Sequence, residues 1–190
     1  MEIKFNSLEG KILVASPKVI DKFFEKSLIY IFLHDNNGVL GIRINREIGS
    51  VSNIDLLKML DKETNKIKNR RLPVMFGGPV NTETIIALSM DKQQKKDLPS
   101  MQSVVLYTDI QKFAKDFVVK NNKSKILLAK GISAWDSDQL EDEIADNSWF
   151  VIQPKVEFIF SHDLKNKWLS AMEQLGISDM SFVAPYSGRV

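Results

Sequence analysis

Residues 27–44 hold the feature that most restricts what this chain can fold into. The run SLIYIFL is almost continuously apolar and rich in β-branched and aromatic residues, so it is expected to be a strand buried on both faces. HDNNG follows. Asn37-Gly38 suits a tight turn needing positive φ, and residues 39–44 then return as the second arm of a hairpin. A hairpin is antiparallel by construction. The remaining strand and helix signals do not alternate regularly either, which favours an α+β fold with a mixed sheet over a doubly wound parallel one.

Further strands are expected at residues 11–15, 73–76, 84–89, 103–107, 125–129 and 157–160. Ser52 or Asn53 can cap a short helix carrying Leu56, Leu57 and Leu60. Thr108 is expected to cap a helix in which Ile110, Phe113, Ala114 and Phe117 recur at helical spacing. From about Leu164 a last helix would bury Trp168, Ala171, Met172 and Leu175 and end at Gly176. Residues 21–26 read as a connector whose Phe23 and Phe24 need cover. Residues 92–99 read as a polar loop and 185–190 as a loose tail.

The stretch 131–151, GISAWDSDQLEDEIADNSWFV, reads as strand, capped helix, strand. Asp136 and Gln139 have capping-box spacing, with the helix starting near Ser137. Leu140 and Ile144 share its buried face, Asn147 lies close to that face, and Gln139 and Glu143 line the flank. Trp135 and Trp149 bracket the helix and are expected to pack against Leu140 and Ile144.

At 190 residues one domain with a substantial core is favoured. The absence of cysteine excludes disulfides, thiolate nucleophiles and cysteine-based metal sites, and fits a reducing compartment. The N-terminal apolar run is too short for a signal-peptide core and no later run approaches the length of a membrane span, so a cytoplasmic protein without a membrane partner is expected. The formal charge of +2 supplies little general attraction for nucleic acid, which would have to use a local patch. The best candidate is the basic stretch 58–71, expected as an exposed, mobile loop, where Lys66, Lys68, Arg70 and Arg71 are the candidate phosphate contacts. A lysine-rich solubilising loop is the plainer reading, because aromatic residues for base stacking are missing there.

Three segments together resemble the YqgE/AlgH family of bacterial proteins: SLIYIFLHDNNGVLGIRINREI with Asn45 and Arg46, MFGGPV with Gly77, Gly78 and Pro79, and AWDSDQLEDEIADNSW with Trp135, Gln139, Leu140, Glu141, Glu143, Asn147 and Trp149. The resemblance implies a compact α+β fold whose sheet curls into a partly barrel-like form. It also implies a cytoplasmic protein without an established enzymatic activity, some relatives of which are called transcriptional regulators. The chain departs from the family pattern at residues 81–89, at Asp138 in place of a common glycine, and at Glu47 where proline is frequent.

Each candidate has a plainer alternative. The Gly77-Gly78-Pro79 turn lacks the residues of a P-loop or a dinucleotide fingerprint, and a tight turn is favoured over an anion site. Glu141 and Glu143, two apart on a helix, diverge, so a solvated face is favoured over an acid–base pair or Mg²⁺ site, with Glu143 bonding backbone nearby as a variant of that reading. His34 and His162 belong to no zinc motif, and GxSxG is absent. Asn45 reads as a turn or backbone-bonding residue. No catalytic residue, metal or cofactor is expected. The leading reading is a non-enzymatic interaction or regulatory module that meets a protein partner through Asn45, Gly77, Gly78, Pro79, Gln139, Glu143 and Asn147. Nucleic-acid binding through the basic loop is the alternative, and a hydrolase or ligand-binding enzyme comes third.

Overall fold

A computed structural model describes residues 7–64, 67–90, 104–119, 124–136 and 138–177. The expected residue 92–99 loop, the 185–190 tail, Ser137 and Lys66 lie outside them. The described strands form one mixed, mostly antiparallel sheet. They are β1 (Ile12–Ala15), β2 (Leu28–Asp35), β3 (Gly38–Arg43), β4 (Glu47–Ser52), β5 (Arg71–Phe76), β6 (Val80–Met90), β7 (Val104–Tyr107), β8 (Ile126–Trp135) and β9 (Trp149–Ile152). The order β4-β5-β8-β3-β2-β1-β9 leaves β4 and β9 at its ends, so the sheet is open; β6 pairs with β7 and β8. Among the described strands only β5 and β8 pair in parallel.

The expected hairpin forms, with Ile29 opposite Arg43, but its turn is Asn36-Asn37: Gly38 already pairs with Asp35 and carries the positive φ, 132, while Asn37 does not. Burial on both faces holds only for Leu28–Ile31; beyond Phe32 exposure alternates, because the strand runs past the core toward its turn. β6 and β8 are longer than their apolar runs suggest. β4 was not expected at all: EIGSVS has little β propensity, and its pairing with β5 makes it a strand.

The described helices are α1 (Asn53–Met59), α2 (Ile110–Val119), α3 (Gln139–Ala145), α4 (Val156–Ile159) and α5 (Lys167–Gln174). Ser52 caps α1 by accepting from the amides of Ile54 and Asp55. For α2 the cap is Asp109 rather than Thr108, with Oδ1 taking the Gln111 and Lys112 amides. Residues 157–160, expected as a strand, lie on α4 and its C-terminal turn. Consecutive Ile159 and Phe160 enter the same core cluster, which a strand with its alternating side chains does not readily allow. α5 starts three residues later than expected and ends at Gly176, φ 75, where the Gly176 and Ile177 amides reach back to Glu173 and Met172 in a Schellman motif.

Strand alternation sends side chains into three clusters. Ile12, Val14, Leu28 and Tyr30 meet Trp168, Ala171 and Met172 of α5. On the other face, Leu13, Ala15, Ile29 and Ile31 meet Trp135, Leu140 and Trp149. Farther along the sheet, α1 and α2 contribute Leu56, Leu57, Phe113, Ala114 and Phe117 against Leu72, Ala87 and Leu128. Helices therefore cover both faces.

Candidate functional site

Glu143 organises the stretch 131–151. Its Oε2 accepts from both indoles, Trp135 Nε1 at 3.1 Å and Trp149 Nε1 at 2.6 Å, while Oε1 accepts from Gln139 Nε2 at 2.8 Å. The rings pack edge to face with centroids 5.8 Å apart, over Leu140 and beside Ile144. Expected packing of the tryptophans is thus found, but the solvated-face reading of Glu143 is wrong. A nearly buried indole N–H needs an acceptor, and the carboxylate on the intervening helix is within reach of both.

The ends of α3 hold this clamp in place. Half of the predicted capping box forms: Gln139 Oε1 accepts from the Asp136 amide at 3.1 Å. The residue flanking the helix is Asp138, with φ 67 and no side-chain capping bond, so Asp136 is not the N-cap. A left-handed residue is easiest for glycine, the residue the resemblance places there, and Asp is among the better-tolerated substitutes. At the other end Asn147, with φ 58, is exposed rather than near the buried face. Its amide reaches Ile144 O and the Ser148 amide reaches Glu143 O, a Schellman motif with asparagine at the left-handed position. That turn delivers Trp149 to the clamp.

Glu141 points elsewhere, as the spacing requires, but it is not solvated. Its Oε1 lies 3.4 Å from His34 Nε2, with both side chains less than a fifth exposed. His34 Nδ1 accepts from the Leu8 amide at 3.1 Å, which puts the proton of neutral His34 on Nε2, facing the carboxylate.

The Gly77–Gly78 turn is a place of close backbone approach. A Cβ on Gly77 would overlap the Gly131 carbonyl oxygen, and one on Gly78 the Ile132 carbonyl. The Gly77 amide donates to Lys130 O, and its carbonyl accepts from the Arg43 amide and Ser133 Oγ. An anion would therefore have to displace the Gly77 amide's sheet bond. Asn45 is a backbone-bonding residue: Oδ1 accepts from the Leu28 amide and Arg43 Nε, and Nδ2 donates to Lys26 O.

Residues 21–26 join these parts, a role the sequence did not reveal. The Arg43 guanidinium, almost buried, donates to Phe23 O at 2.6 Å and Glu25 O at 3.1 Å. Burial, with Arg46 adding repulsion, pushes its pKa down to about 10. Phe24 packs on both clamp tryptophans, and Phe23 stacks on Phe76 beside the glycine turn. The turn and the clamp thus share one support. They are separate surfaces nonetheless, since Gly131 and Trp135 stand about 13 Å apart along β8.

Phe23 is 48% exposed although it stacks on Phe76. Arg46 lies over the Phe76 ring at 5.1 Å, Ile48 two residues on along β4 is 50% exposed, and Val80 just past the glycine turn is 40% exposed. Of the basic-loop candidates, Arg70 donates to Ser124 O and lies over Phe117, and Arg71 holds Ser50 Oγ and O. Asn53 binds backbone groups of Lys68 and Arg70. The end of the loop is therefore anchored rather than free, with the Lys68 side chain exposed. Sequence reasoning also missed Lys167. It is 2% exposed, donates to the carbonyls of Ile44, Ile159 and Ser161, lies over the Phe158 ring at 5.7 Å, and is pushed down by burial to about 7. Among the described residues no group of carboxylates and histidines could hold a metal ion, and no helix is long and apolar enough to cross a membrane.

A family model described as AlgH-like matches residues 12–179. Curated relatives include a UPF0301 protein of Shewanella woodyi, 34% identical and covering 90% of this chain and 92% of that protein. Another UPF0301 protein, from Rickettsia canadensis, is 33% identical and covers 94% of each. The fold is similar to the solution structure of the AlgH protein from Pseudomonas aeruginosa, with TM-score 0.66, 21% identity and full coverage of both chains. It is also similar to the crystal structure of DIP2367 from Corynebacterium diphtheriae, with TM-score 0.67 and 18% identity over 92% of this chain and 90% of that one.

Proposed function

The chain belongs to the AlgH-like family, and on that premise we propose that it is a non-enzymatic cytoplasmic interaction module that binds a protein partner through the patch beside the glycine turn. One observation carries this reading: Phe23, Ile48 and Val80 are large apolar side chains left 40% or more exposed on segments that meet around Phe76 and Arg46. Single exposed apolar residues are ordinary, whereas a group with an aromatic and an arginine has the composition of an interface centre. Asn45, Gly77, Gln139 and Glu143 support the patch and the clamp from behind, since their polar groups already bond within the protein. The nucleic-acid reading has less behind it, because Arg70 and Arg71 are tied to protein oxygens, which makes them at most one fixed local site and not the flexible arm that would track a strand.

A photo-crosslinking residue placed at Ile48 tests the proposal. It should give a discrete protein adduct in nuclease-treated lysate, absent when the same residue stands at the exposed Glu157. Identical adducts from both positions, or none from Ile48, would overturn it.

A further inference from the structure

A cavity of about 160 Å³ opens where the starts of β5 and β8 meet the turn after α4. It is lined by Arg70, Arg71, Ser124, Lys125 and His162, among others, and by no acidic residue. The four cationic or protonatable side chains come from three separate segments. None of them is in an ion pair among the described residues. Asp163, the acid next in sequence to His162, is turned to Asn166, accepting from its amide and Nδ2.

Three basic residues line one small concavity with no carboxylate among its lining, and a net charge of +2 shows that this is a local concentration and not a property of the whole chain. The arrangement is also held in place. Arg70 is fixed by Ser124 O and the Phe117 ring, and Arg71 by Ser50, so two guanidinium groups are ordered before any ligand arrives. Lys125 and His162 are exposed, and among the described residues no ion pair holds either side chain. Fixed guanidinium groups with an exposed lysine and an imidazole donor at the rim suit a tetrahedral oxyanion, which accepts several hydrogen bonds at once.

We propose that this cavity binds a phosphate-class oxyanion. The anion offsets the positive charge of Arg70, Arg71 and Lys125, and the Lys125 ammonium and the His162 ring N–H donate to it from the rim. It stands apart from the patch around Phe76 and does not depend on the partner proposed there.

The test is a titration of the full chain with inorganic phosphate, followed by backbone amide shifts against a chloride series of equal ionic strength. Parallel series use a nucleoside monophosphate and a single-stranded oligonucleotide. Saturable shifts at Arg71, Leu72, Lys125 and Ile126 are expected with phosphate. A Lys125→Gln/His162→Gln double variant should weaken them at least about fivefold, in keeping with the loss of charge-assisted contacts. Tighter binding of the monophosphate alone identifies a small phosphorylated ligand. A preference for the oligonucleotide, with a salt slope that falls by about one to two in the double variant, identifies a nucleic-acid backbone. Shifts no larger than those with chloride, or equal in native and double-variant proteins, would overturn the proposal.

Discussion

Replacing Glu143 by alanine leaves the indole N–H groups of Trp135 and Trp149 without their acceptor. Those rings are 6% and 3% exposed. An unpartnered buried donor costs about 1 to 3 kcal/mol. Glu143 itself is half-buried, so water can reach part of the vacated space, and the bond to exposed Gln139 adds little. The sum is about 2 to 4 kcal/mol, or a fall in Tm of about 4 to 16 °C for a chain of this size. Glu143→Gln keeps one acceptor oxygen and should cost about half as much. Urea unfolding followed by far-ultraviolet circular dichroism measures this without relying on tryptophan fluorescence. A double-mutant cycle with Trp149→Phe, which removes one donor, should give a coupling of about 1 to 2 kcal/mol. If Glu143→Ala costs less than about 0.5 kcal/mol, the range of an ordinary surface change, or the cycle shows no coupling, the clamp is not what holds this region.

Lys167 predicts a pH dependence. Its folded pKa, about 7, lies below the ordinary 10.5, so between these values the unfolded chain binds the extra proton and stability rises with pH. Native protein should gain up to about 1.4 kcal/mol per unit between pH 7 and 9 relative to Lys167→Met, measured by urea unfolding; parallel profiles would refute this. Gly77→Ala should abolish soluble expression because its Cβ has no room, whereas Gly176→Ala, with open space but φ 75, should cost about 1 kcal/mol by thermal unfolding. Asp138→Gly should raise stability by about 0.5 kcal/mol, since glycine adopts the left-handed conformation without strain; a loss would show that the Asp side chain matters. Asp109→Ala should cost about 1 kcal/mol in unfolding experiments, and Thr108→Ala much less.

What was legible in the sequence follows from local physics. The hairpin, the helical spacing of Phe113, Ala114 and Phe117, and the packing of two tryptophans about Leu140 depend on patterns a few residues long. Features set by distant partners were not legible. β4 exists because β5 pairs with it, α4 because Ile159 and Phe160 face one cluster, and Gly77 because β8 passes against it. Two tryptophans eight residues before and six after a helical glutamate were a readable sign of the clamp, since buried indoles need an acceptor. Nothing local marks Lys167 as buried: it sits between the polar turn SHDLKN and Trp168, and its carbonyl partners come from three elements or turns.

The central claim is that Glu143 and the glycines build the fold while the patch beside them meets a partner. Partner capture from nuclease-treated lysate at 15 °C by native protein, Glu143→Gln and a Phe23→Ser/Ile48→Ser variant tests this most directly, each first shown to be folded by circular dichroism. The account predicts that Glu143→Gln retains the captured protein although it melts earlier, and that the patch variant loses it. Capture retained by the patch variant and lost by folded Glu143→Gln would contradict the account and move the binding site to the clamp.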